Sequence, residues 1–358
     1  MRLEHLVARG FRNLADLELE PPAEGMVLLG ANAQGKTNLL EAVCYPVLFR
    51  SFRGSTDPEI VRFGGPGFHV DVRVGGGGVG AVGATYHLNG RRKQLSVDGS
   101  EPERLADAVG GWLAVSFLPA DVGLASGPAA ERRQYLDRLL SLADGRYLRA
   151  LMRYRAALAQ RNSALRQGRL EMAQAFDGPL AGAGADVVRA REGWAKRAAE
   201  RFTAEFECLG EREEARLFYR SQPGLDEPAA WVSALESARA DDRVRGMTTV
   251  GPHRDDLVLE IGGKPLRAFG STGQQRSAAV ALRLIEIATL REARDTEPGL
   301  LLDDVFAELD RERQRRLAAR LLGSGERQVF LTAPRADELP PDLRLPVWQV
   351  ERGRVTRA

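Results

Sequence analysis

The apolar positions of this chain change period along its length, and the changes mark out its organisation. Residues 1–30 alternate: Leu3, Leu6 and Val7 precede a turn at residues 10–13, with Leu17 and Leu19 beyond it, a spacing that predicts short strands. Met26-Val27-Leu28-Leu29 is continuously apolar and reads as a buried strand. Residues 37–43 read as a helix that Pro46 interrupts. Across residues 60–118, valine-rich segments (Val70, Val72, Val74; Leu95, Val97) are separated by glycines 75–78 and by Asn89-Gly90. That pattern predicts antiparallel hairpins, with the glycine run at a tip.

After Gly127-Pro128 the period becomes helical. Residues 129–166 set Leu136, Leu139, Leu140, Leu148, Leu151, Met152 and Leu158 on inner faces. Gly168 and residues 177–184 interrupt the pattern, and a second long helix is expected over residues 186–209. An antiparallel helical hairpin or small bundle of roughly 100 residues follows from this, the size of a modest domain. Strand character returns at residues 248–250 and 257–261. A helix over residues 274–294, an apolar strand ending in acids at 300–304, a helix over 311–322 and a strand at 329–332 complete an α/β half. The expected organisation is one α/β domain built from residues 1–127 and 246–358, with residues 128–245 inserted as a helical arm.

Composition sharpens this only in part. Hydrophobic residues make up 44% of 358, ample for packed cores, and the net charge is only +2, so a polyanionic partner must be held by a local patch. Cys44 and Cys208 lack metal-ligand spacing, which argues for a reducing compartment and against zinc. No run of 18 apolar residues occurs, and Met-Arg-Leu-Glu-His opens the chain without an apolar signal core. The expectation is a soluble, cytoplasmic protein with no membrane partner.

Chemistry concentrates after the first buried strand. Gly30-Ala31-Asn32-Ala33-Gln34-Gly35-Lys36-Thr37 fills every fixed position of the phosphate-loop pattern, between a strand and a helix. Backbone N–H groups of such a loop curl around a β-phosphate, and the helix N-terminus favours the anion. Lys36 is expected to reach the β- and γ-phosphates of ATP, and the Thr37 hydroxyl to ligate Mg²⁺. The only other lysines are Lys93, Lys196 and Lys264, so a lysine here fits a site that wants a compact point charge. The matching acidic strand is Leu300-Leu301-Leu302-Asp303-Asp304. Asp303 would serve Mg²⁺, and Asp304 would face the γ-phosphate to orient or deprotonate the attacking water.

Ser271-Thr272-Gly273-Gln274-Gln275-Arg276 precedes an apolar helix and could simply be an N-cap. Beside the other motifs it resembles the signature sequence of ABC-type ATPases, in which Ser271, Gly273 and Gln274 would bind the γ-phosphate held by a facing subunit. Ala307-Glu308-Leu309-Asp310 resembles the loop that crosses the same interface. The resemblance implies an ATP-dependent head-to-tail homodimer in which neither copy holds a complete site.

The order of the motifs resembles the RecF family of DNA-repair ATPases, relatives of the SMC proteins. The similarity is carried by Gly10-Phe11-Arg12-Asn13-Leu14, residues 30–42, Ser51-Phe52-Arg53, and Phe117-Leu118-Pro119-Ala120-Asp121 leading to Glu131-Arg132-Arg133. It continues through Gly251-Pro252-His253-Arg254-Asp255-Asp256-Leu257, residues 271–276 and residues 301–306. It implies an ABC-type, SMC-like ATPase head with an inserted helical arm. It also implies ATP-dependent binding of duplex DNA near gaps or single-strand/double-strand junctions, slow DNA-stimulated hydrolysis, and RecR, with RecO as a further partner, in RecA loading. Thr332-Ala333-Pro334 stands where many ABC enzymes carry a histidine, and Asp304 where they carry the longer glutamate. Both departures suit a slow switch better than a fast pump. His253 is expected to be structural or at an interface.

Residues 131–170 contain ten arginines against three acids, and spacing near the helical repeat makes one arm basic. Arg132, Arg133, Arg146, Arg149 and Arg153, with Arg50 and Arg53 near the loop helix, are the candidate DNA contacts. No aromatic ladder for stacking bases is present, so sequence-independent duplex contact is favoured. The arm is far too short for an SMC coiled coil. A transport ATPase subunit is the alternative, and it leaves the arginine-rich arm unexplained. A nucleotide kinase would leave the signature sequence unexplained.

Overall fold

Continuous apolar runs become the interior of a parallel sheet. In the computed structural model, which describes residues 1–76, 80–307, 311–323 and 327–358, the chain forms two compact units. One joins Met1–Asp121 to Glu286–Ala358, and the other is Val122–Ile285.

The first unit carries two sheets. One has the order β2-β1-β4-β5-β6, with β1 (Arg2–Arg9), β2 (Leu17–Leu19), β4 (Gly67–Gly75), β5 (Ala81–His87) and β6 (Arg92–Val97) antiparallel throughout. These are the expected hairpins; residues 77–79 of the glycine run lie outside the described residues. The other has the order β14-β13-β3-β12-β11-β7, from β3 (Gly25–Leu29), β7 (Ala114–Phe117), β11 (Gly299–Leu302), β12 (Val329–Ala333), β13 (Val347–Glu351) and β14 (Arg354–Arg357). Strands β13, β3, β12, β11 and β7 run parallel. Every residue of β3, β7, β11 and β12 is buried, as expected of strands covered on both faces. The hairpin β13–β14 has no counterpart in the expected elements.

The helix after β3 runs Lys36–Leu48, through Pro46 rather than stopping before it. Ten of its thirteen residues are buried. Tertiary burial thus outweighs the hydrogen bond that proline withholds from the preceding turn.

The second unit contains helices Ala129–Ala143, Gly145–Arg166, Asp177–Cys208 and Pro228–Arg245, with a small sheet formed by β8 (Ala215–Arg220), β9 (Asp256–Ile261) and β10 (Lys264–Pro265) in the order β10-β9-β8. Four differences from expectation appear. Residues 246–285 belong here, because β9 pairs along its whole length with β8, while β10 closes the edge. Residues 248–250 form no strand. Residues 177–184 continue the long helix instead of breaking it. Its Gly184 lets the Trp231 ring lie so close that a Cβ there would sit 2.3 Å from it. Met152, expected inward, is 46% exposed.

A buried polar network knits this unit. Arg191, 2% exposed, donates to Asp137 Oδ1 at 2.6 Å, to the Tyr147 and Tyr219 hydroxyls at 3.0 Å each, and to the Pro252 carbonyl at 2.8 Å. Tyr219 donates to Asp255, whose carboxyl burial pushes up to about 6. His253 Nε2 lies 2.9 Å from the Thr248 carbonyl, so that nitrogen carries the proton and Nδ1 accepts from Tyr154. The Gly-Pro-His-Arg-Asp-Asp segment is therefore a structural tie.

Burial lowers the His253 pKa to about 4, with Arg254 and Arg133 adding to the shift and the Thr248 carbonyl and Asp242 opposing it. An imidazole kept neutral contributes stability that is fully present above its free value of about 6.5 and lost as pH falls towards 4, by up to ~1.4 kcal/mol per pH unit. Asp255, raised in the fold, acts in the opposite sense over the same range. The stability gap between the wild type and His253→Gln, measured by thermal unfolding, is expected to narrow from pH 7 to pH 5. A gap independent of pH would show that the imidazole is not held neutral.

Candidate nucleotide-binding site

Strand order brings the two halves of the site together. β12 lies between β3 and β11, so the loop leaving β3 and the acids ending β11 emerge on either side of one intervening strand. Thr37 Oγ1 donates to the Asp303 carboxylate, 2.9 Å and 3.0 Å from its two oxygens, across 266 positions of sequence. Thr332 Oγ1, on β12, lies 2.9 Å from Asp303 Oδ1 and 3.1 Å from Asp304 Oδ1 and accepts the Asp304 N–H at 2.9 Å. Burial pushes the Asp303 carboxyl above the usual range, against the pull of the Thr37 and Thr332 hydroxyls.

The loop is shaped for close approach. Ala33 and Gly35 have φ of 66° and 114°, left-handed backbone that curls the loop tightly. A Cβ on Gly30 would meet the Val350 carbonyl oxygen at 2.2 Å, so only glycine fits beside β13. The β13–β14 turn holds the loop's middle: Arg352 N–H donates to Gln34 Oε1 at 2.7 Å, and Gly353 N–H to the Gln34 carbonyl at 2.8 Å. Lys36 Nζ donates to the Gly30 and Ala31 carbonyls at 2.6 and 3.1 Å, folded across the loop it would vacate for phosphate. Asn32 is exposed at the tip. A hydroxyl and a carboxylate are hard oxygen donors, and the pair Thr37–Asp303 suits Mg²⁺.

Beneath the loop helix lies a pair that sequence reasoning did not single out. Glu41 is fully buried and takes Arg12 Nε and Nη2 at 3.0 and 2.9 Å, with the Ser51 hydroxyl also donating. Arg53 Nη1 donates to Asn38 Oδ1 at 2.9 Å, and Asn38 in turn donates to Asn13 at 2.6 Å. The segments containing Arg12-Asn13 and Ser51-Phe52-Arg53 thus brace the helix that starts at the phosphate loop.

Ser271 and Gln274 cap the helix Thr272–Arg294 reciprocally: Gln274 N–H donates to Ser271 Oγ at 3.2 Å, and Ser271 N–H to Gln274 Oε1 at 2.9 Å. Ser271 is exposed there and Gly273 half-buried. Residues 308–310 of the presumed interface loop lie outside the described residues. Among the arginines, Arg132 is not a surface group. It is 6% exposed and makes a two-pronged pair with Asp256 at 2.8 and 2.9 Å. Helical spacing alone did not reveal that partner. Arg133 is half-buried and donates to the Asp255 carbonyl. Arg146, Arg149 and Arg153 are exposed on one helix, and Arg50 and Arg53 are exposed near the loop helix.

Taken with the sheet order, this site defines an ABC-type ATPase head. Solved SMC heads share the fold at 14–15% identity, with TM-scores of 0.57–0.58. The chain belongs to the RecF family. It is 40% identical over 342 residues to the DNA replication and repair protein RecF of Anaeromyxobacter sp. (strain Fw109-5), covering 93% of this chain and 92% of that one. Against the RecF of Moorella thermoacetica identity is 35%, covering 100% and 97%. A structure of the recombination mediator protein RecF-ATP in the RecFOR pathway matches with a TM-score of 0.90 at 29% identity, covering 100% of this chain and 97% of that one. No family model matches the chain. These relatives do not favour the transport-ATPase alternative.

Arg12→Met would leave the buried Glu41 carboxylate only the Ser51 hydroxyl and Arg53 Nη1 at 3.7 Å, and is expected to lower unfolding free energy by roughly 1.5–3 kcal/mol. The double variant Arg12→Met/Glu41→Leu should recover part of that loss in denaturant titrations. Strictly additive losses would mean that the two side chains are not energetically coupled.

Proposed function

We propose that this protein is an ATP-gated DNA-binding switch of recombinational repair: two copies close head to tail around two ATP molecules, and slow, DNA-stimulated hydrolysis releases them. The observation that carries the reading is the Thr37–Asp303 contact, which joins the phosphate loop to the acidic strand. The structure of the recombination mediator protein RecF with ATP in the RecFOR pathway supports it.

In this reading the loop residues 30–37 cradle the triphosphate through backbone N–H groups, and Lys36 swings from the Gly30 and Ala31 carbonyls onto the β- and γ-phosphates. Thr37 and Asp303 would hold Mg²⁺, which would neutralise charge developing on the phosphates. Asp304 orients the water. Ser271, Gly273 and Gln274 meet the γ-phosphate of the opposing copy at the exposed start of a long helix. Arg146, Arg149 and Arg153 contact duplex phosphates near single-strand/double-strand junctions, with Arg50, Arg53 and Arg133 as lesser candidates. RecR, with RecO, would be the partners in RecA loading.

Lys36→Met is expected to weaken ATP binding by about 100-fold through lost charge-assisted hydrogen bonds. Ser271→Arg should bind ATP normally yet stay monomeric in light scattering with saturating ATP. ATP-driven dimers of Ser271→Arg would remove the shared-site argument.

Replacing Arg146, Arg149 and Arg153 together by serine should lower the magnitude of the slope of log affinity against log salt for duplex DNA by about 2–3, at roughly 0.9 per phosphate contact. An unchanged slope would place the DNA elsewhere.

A further inference from the structure

The strand between the two motifs carries a side chain that neither motif assigns. Thr332 is 1% exposed on β12, and its hydroxyl meets three polar groups: Asp303 Oδ1, Asp304 Oδ1 and the Asp304 backbone N–H. A threonine hydroxyl has one proton and two lone pairs. Accepting from the Asp304 N–H uses a lone pair. The single proton can then serve only one of the two carboxylates at a time.

Asp304 needs such a tether. Its φ is 48°, in the left-handed region that residues with a side chain seldom occupy. Residues held there are strained and persist only where surrounding groups fix them. The Asp304 N–H bond to Thr332 is one such fixing contact, and it sets where the carboxylate points. On that side Asp304 shares a concave surface with Phe306, Ala307, Thr332, Pro334 and Glu338.

We infer that Thr332 is a positioning residue for hydrolysis: it pins Asp304 in its left-handed backbone conformation and allots one hydroxyl proton between Asp303 and Asp304. The inference rests on the proposed ATPase reading. Asp303 is held independently by Thr37, at 2.9 and 3.0 Å, so loss of the Thr332 hydroxyl leaves Asp303 one donor and leaves Asp304 without this one. The effect should therefore fall on turnover more than on nucleotide affinity. Valine has nearly the shape of threonine and suits a buried parallel strand, so Thr332→Val removes the hydroxyl with little change in bulk.

The test compares the wild type, Thr332→Val and Thr332→Ser, each as the full chain with Mg²⁺. ATP affinity is expected to stay within about 3-fold for all three. Turnover should fall by about 10- to 100-fold in the valine variant and recover to within a few-fold in the serine variant, as for misplacement of a group that handles the attacking water. A second readout does not need hydrolysis: amide hydrogen exchange over residues 302–306 without nucleotide. It should quicken in the valine variant and match the wild type in the serine variant. A valine variant with wild-type turnover and exchange overturns the inference, as does a serine variant no better than valine. A wild type that binds ATP but never hydrolyses it defeats the ATPase reading instead, and the exchange comparison then decides whether Thr332 holds Asp304.

Discussion

The contact between the Thr37 hydroxyl and the Asp303 carboxylate constrains everything else in the first unit. Neither group has value alone: an isolated buried carboxylate is costly, and an isolated hydroxyl at a helix start is ordinary. To bring them within 2.9 Å, β3 and β11 must be parallel, separated by one strand, and in register with it. The registers Leu331–Val27 and Leu302–Leu331 meet that demand, and they put Thr332 one step beyond, at the level of both motifs. The apolar runs on these strands are long enough to bury the sheet, and they end where polar chemistry starts.

Much of this was legible in the residues because the signals are local. A phosphate loop needs glycines at fixed positions, and an acidic strand end follows an apolar run; both can be read without a partner. The antiparallel hairpins were legible from alternation. What was not legible depended on distant packing. Pro46 remains inside its helix because the surroundings bury it, and residues 177–184 stay helical with Gly184 against Trp231 from another helix. Neither neighbour is visible in a local window. Arg132 reads as one basic residue among ten until Asp256 is folded beside it. Residues 246–285 cluster with the helical unit, where β9 pairs with β8, a six-residue strand among helices that a local window does not single out. Thr332 did leave a trace, as a threonine where a histidine is common in related enzymes, but its role depended on the order of strands.

The two units satisfy buried charge in different ways. In the first, Glu41 takes a forked arginine and a hydroxyl, and so fixes the helix that begins at the phosphate loop. In the second, Arg191 and Arg161 are each surrounded by carboxylates and hydroxyls from several helices. Such pairs add little net stability over apolar packing, but breaking one by removing a single partner is expensive. In the Gly-Pro-His-Arg-Asp-Asp segment, the Pro252 carbonyl and Asp255 belong to the Arg191 network.

The strand that delivers the phosphate loop has both of its neighbours, β12 and β13, in residues 329–351. During synthesis the loop is therefore made some 300 residues before the strands that flank it and the turn that grips Gln34. A nascent chain lacking those strands has the glycines and the lysine but no rigid frame to aim them. The frame that aims the loop is thus complete only once residues 329–351 have joined the sheet.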